Sequence, residues 1–146
     1  GVVSSESNLQ TEKDIKTFIV SNMIDSIIMD GAITIRLINE PCFGEIKKQL
    51  ATNKILFEHG GRNIPINSGG NPPWEEDGLN YFPEYIYKHK VTCIQIEKFS
   101  IPQNSGELKV NVGMFRSGMD AAGYTFIFRK KGKFWVYYTR EMNWIS

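Results

Sequence analysis

The chain has 146 residues, and its 41% hydrophobic and 23% charged content is that of an ordinary folded domain, which excludes wholesale disorder. At this length one domain buries about two-thirds of its unfolded surface. The net charge of +1 argues against a general affinity for nucleic acid or anionic membranes. Residues 1–85 carry 7 Lys/Arg against 12 Asp/Glu and residues 86–146 carry 10 against 4, so the two halves attract when packed together.

Residues 1–10 read as a flexible tail, and a single domain is expected over 11–146. The chain opens on "GVVSSESNLQ" without a methionine, as it would after loss of a signal peptide, a lipoprotein leader or an expression tag, and the expectation is an extracytoplasmic protein (periplasmic, lipoprotein or secreted), with a cytoplasmic one as the alternative. No apolar run reaches the roughly 18 residues that a membrane-spanning helix needs.

Thr11 starts a helix, with Asp14 three positions on to complete a capping box. Ile15, Phe18, Ile19, Met23 and Ile27 recur at three- and four-residue steps, and Lys13, Lys16, Asn22 and Asp25 take the opposite side. Gly31 suits the stop. "AITIRLI" (32–38) alternates as a strand does. After Pro41, the residues Phe43, Ile46 and Leu50 share one face of a second, shorter helix, and "KILFEHG" (54–60) reads as a short strand. Cys42 and Cys93 sit among apolar neighbours, and their spacing leaves a disulfide and two buried thiols equally open.

From Gly60 to Asn80 the density of glycine, proline and asparagine predicts a long irregular loop, the kind of segment that commonly carries function. The rest is β-rich. In "YIYKHKVTCIQIEKFSIP" the apolar phase changes near Glu97, which predicts a bulge or bend. In "GELKVNVGMFR" Leu108, Val110, Val112 and Met114 face one way. "YTFIFRKKGKFWVYYTR" forms a hairpin around Lys131-Gly132, with apolar or aromatic residues at nearly every position, so both its faces need cover.

The order of a long helix, a shorter helix and a run of strands, ending in "YTFIFRKKGKFWVYYTREMNWIS", resembles the cystatin-like and NTF2-like α+β folds. The resemblance implies two helices packed on a strongly curved antiparallel sheet of about five to six strands. It carries no catalytic motif, and that fold hosts enzymes, carriers and association modules alike.

Few residues suggest chemistry. His59, ending a strand beside the long loop, is a better-placed candidate general base than His89, which lies between two lysines, and a buried Asp is the other option. "WEEDG" (74–78) lacks the spacing of a calcium loop, and no Cys/His pattern suits zinc, so no metal and no cofactor is expected. The aromatic cluster is the richest feature. Trp74, Tyr81, Phe82, Tyr85 and Trp135 offer contact area, with Arg62 and Glu75 as polar orienters. The expectation is a non-enzymatic domain that binds a protein, peptide or small ligand through residues 60–87 and the concave face of the sheet. That sheet is also a surface through which two copies could pair. The alternatives are a cavity enzyme of hydratase or isomerase type, and an immunity or inhibitor protein with an acidic loop.

Overall fold

The computed structural model describes residues 8–29, 34–52, 58–59, 62–63, 66–69, 91–117 and 120–145. Helices α1 (Glu12–Met29) and α2 (Phe43–Thr52) accompany eight strands: β1 (Thr34–Ile38), β2 (Glu58–His59), β3 (Arg62–Asn63), β4 (Ile66–Gly69), β5 (Val91–Ile96), β6 (Glu107–Ser117), β7 (Asp120–Lys131) and β8 (Phe134–Ile145). Six strands form one sheet in the order β4-β1-β5-β6-β7-β8, and β2 pairs with β3 in a separate hairpin. The fold is α+β.

The sheet is mixed. From β5 to β8 it is the antiparallel meander that the alternating sequence predicts. β1 instead runs parallel to both neighbours, Ile35 lying opposite Ile66 of β4 and Thr92 of β5. β4 lies within the stretch expected to be irregular, which is therefore not structureless throughout. Its residues Asn67 and Ser68 are exposed, so its composition reads as loop although its backbone completes a ladder. The phase change near Glu97 marks the end of β5 rather than a bulge within it, and one further backbone bond, from Glu97 N–H to the carbonyl of Asn111, closes the ladder there.

Thr11 and Asp14 cap α1 reciprocally. The Asp14 N–H donates to Thr11 Oγ1 at 3.1 Å, while Asp14 Oδ2 accepts from the N–H groups of Thr11 and Gln10 at 3.0 Å each. Burial pushes the Asp14 carboxyl up, but these bonds, with those from the Thr11 hydroxyl and the Gln49 amide, hold it below its ordinary value. The cap therefore stabilises the fold fully above the ordinary carboxylate range, and its contribution fades as pH falls through the lowered value. Asp14→Ala should cost about 1 kcal/mol in urea unfolding at neutral pH, and its gap to the parent should narrow in acid.

α1 is buried around most of its circumference, not along a single stripe. Ile15, Ile19, Met23 and Ile27 point into the core, and Lys16, Thr17 and Ser21, on other sides, are buried as well. The expectation that Lys16 lies on a solvated face is thus overturned. The reason is α2, which packs on α1, with the Thr17 hydroxyl donating to Gln49 Oε1 at 2.7 Å. Lys16 Nζ donates to Glu40 Oε2 at 2.9 Å, and both side chains are only 4% exposed. Glu12 completes the cluster at 3.2 Å.

On its other side α1 meets the strand face carrying Leu108, Val110, Val112, Phe126 and Phe128, all buried. Phe18 sets its ring edge-on to Phe128, centroids 5.8 Å apart, and against Tyr137 at 4.9 Å. Arg140 of β8 then reaches across to donate to Asn22 Oδ1 and Ser26 Oγ, while its guanidinium covers the Tyr124 ring. The helix-facing side of the sheet is thereby closed by hydrophobic burial at its centre and by a charge-assisted latch at its margin. No helix among the described residues is long and apolar enough to cross a membrane.

Candidate functional site

The other face of the sheet carries a trough. Within β6 and β7 two glycines, Gly113 and Gly123, lie directly opposite each other. Glycine inside a strand costs roughly 0.5–1 kcal/mol relative to alanine, and in such a place it often marks a close approach by another group. Here the approaching groups are rings. A Cβ on Gly113 would fall 2.6 Å from the Phe115 ring, and one on Gly123 would overlap the indole of Trp144. The two rings adjoin, centroids 6.1 Å apart and tilted by 45°.

A bulge places the second ring. Tyr124 pairs with Met142 and Gly123 with Trp144, so Asn143 is an extra residue in β8. Strict alternation would send Asn143 and Trp144 to opposite faces. The extra residue instead lets both serve the same one: Trp144 lies on Gly123, and Asn143 bonds to Thr125 next to it. A second bulge, at Tyr138, gives the Arg129 guanidinium a ring to stack on at 3.3 Å.

Beside the rings runs a polar row. Asn143 Nδ2 donates to Thr125 Oγ1 at 2.6 Å, and the Thr125 hydroxyl donates to Asn111 Oδ1 at 2.8 Å, linking β8, β7 and β6. Gln95 and Glu97 stand at the β5 side, both exposed. Together these residues bound an open cavity of about 470 Å³, large enough for a small ligand or part of a polymer. Trp144 is 44% exposed, so its outer face is available. No described lining residue carries a positive charge.

No family model, curated protein or solved structure matches this chain.

Of the residues nominated from sequence, Trp74, Glu75, Tyr81, Phe82 and Tyr85 lie outside the described residues. His59 and Arg62 face each other across the β2–β3 pair, where only their backbone is described. Trp135 is overturned as a contact residue. It is 2% exposed and belongs to the core, because it lies on the helix-facing side and the strand edge beside it is covered by Leu9. Leu9 and Trp135 exchange both backbone bonds, at 2.7 and 3.1 Å. Phe115, Asn111, Asn143 and Trp144 were missed. The available signal was the pair of glycines, each in an otherwise alternating strand, with an aromatic residue two places beyond Gly113.

Cys42 and Cys93 form no disulfide. Cys93 is buried near Ile38, Val91 and Phe115, while Cys42 lies beside the Lys16 ammonium. Among the described residues no group of three or more His, Cys, Asp or Glu could hold a metal ion.

Proposed function

We propose that this domain is a non-enzymatic recognition module whose contact surface is the trough on the helix-free face of the sheet. The observation that carries the reading is the paired glycines under two rings, set beside a directed row of amides. Shielding of the glycine backbone explains why the rings lie close to it. It does not explain why a bulge brings a second polar side chain to the same place, or why the indole keeps an open face. The reading moves the contact surface expected from sequence, from residues 60–87 and Trp135 to Phe115, Asn111, Asn143 and Trp144.

The test uses two variants. Gly123→Ala introduces a methyl where the indole lies and must displace Trp144, at little cost to the strand, while Trp144→Ala removes the ring. Nitrogen-15 labelled protein is titrated with a library of small polar and aromatic fragments and followed by amide and indole resonances. Shifts are expected to cluster at Gly113, Phe115, Gly123 and Asn143 and on the Trp144 indole, and to disappear in both variants. Hits that map elsewhere, or that survive in folded Gly123→Ala, would refute the assignment.

A further inference from the structure

Resting on that reading of the trough, we infer that its ligand is a neutral carbohydrate. The polar row has a direction. Because the Asn143 amide donates to Thr125 and Thr125 donates to Asn111, the Asn143 end presents a carbonyl oxygen and the Asn111 end presents N–H groups. An acceptor and a donor held in fixed positions along one line match neighbouring hydroxyls, each of which donates and accepts. Gln95 adds a further amide of both kinds, and Glu97 adds an acceptor.

The rings supply the complementary part. Phe115 and Trp144 crowd over the two glycines and adjoin at a tilt of 45°, forming the apolar part of the trough, with the indole 44% exposed. The C–H-lined face of a pyranose rests on such a surface while its equatorial hydroxyls reach the amides at the side. A cation held by aromatic faces needs rings standing around it, and these lie side by side. An anion would meet the Glu97 carboxylate with no cation among the described lining residues to offset it. A peptide adding itself as a strand needs a free backbone edge, and the floor is made of β6 and β7, whose backbone is paired on both sides.

The experiment presents a panel of immobilised oligosaccharides, neutral, uronic and sulfated, to the whole chain, followed by titration of the strongest neutral binder against the Trp144 indole resonance. Binding by at least one neutral class is expected, insensitive to salt, with affinity reduced about tenfold or more in Trp144→Ala. Asn111→Ala should weaken it by a similar factor while thermal stability stays near that of the parent. A preference for sulfated or uronic chains that fades with salt would overturn the inference, as would the absence of any neutral binder. So would a dimer that occupies the trough and dissociates in Trp144→Ala. If fragments map to the trough and no neutral glycan binds, the class of ligand falls and the site stands; if neither binds there, both fall.

Discussion

A Lys16→Ala variant should lose about 3–5 kcal/mol of unfolding free energy, the cost of leaving one member of a buried ion pair alone. Glu40 is as buried as its partner, and its Oε2 accepts from Lys16 Nζ at 2.9 Å and from the Cys42 N–H at 2.7 Å. Without the ammonium, the carboxylate keeps a single backbone donor in a site closed to water. Burial pushes the Lys16 pKa down, but the bonds and charge of Glu40, with Glu12 and Cys42, raise it above its ordinary value. The raised lysine value therefore contributes stability that is present at neutral pH and is lost as pH rises through the raised value. Urea unfolding at neutral pH measures the loss. The double variant Lys16→Met with Glu40→Gln should recover most of it, since the desolvation of both charges disappears together. A single variant as stable as the parent would show that water reaches the pair.

Phe126→Ala should cost about 3–5 kcal/mol as well, for a different reason: it opens a cavity in the centre of the sheet. Phe126 has no exposed surface, lies parallel to the Phe128 ring at 6.5 Å, and meets Tyr137 at 6.1 Å. The neighbouring rings are fixed by α1 and by the strand register, so the site cannot collapse onto the gap. The same measurement on Trp144→Ala should show a change within about 0.5 kcal/mol, because that ring is 44% exposed. The two aromatic populations of the final hairpin would then separate by experiment. On the proposed reading, rings on the helix side carry stability and those on the trough side are free for recognition. Equal costs would contradict that division.

Much of this was legible in the sequence wherever the cause is local. The Thr11–Asp14 box, the α1 core positions and the alternation of Leu108, Val110 and Val112 are each set within a few residues, and each is realised. The final hairpin forms as expected but turns one residue later, at Gly132-Lys133 between the paired Lys131 and Phe134, Gly132 taking the first central position with φ of 63°. What escaped depends on distant partners. Lys16 reads as a surface lysine because Glu40 is 24 positions away. The parallel position of β1 depends on residues 66–69 and 91–96, and nothing in "TIRLI" specifies a direction. Trp144 escaped because the extra Asn143 resets the alternation from which faces are read.

The place of β1, between two strands that both follow it in the chain, also bears on the order of assembly. β6, β7 and β8 follow one another with short connections, so their pairings close small loops and can form early. β1 must wait, since both strands that flank it come later in the chain. A nascent polypeptide therefore carries α1 and β1 through synthesis of some fifty further residues before the second flank exists. For that interval α1, the more apolar of the two helices, has no completed sheet to lie on, and its shelter depends on strands that are made later.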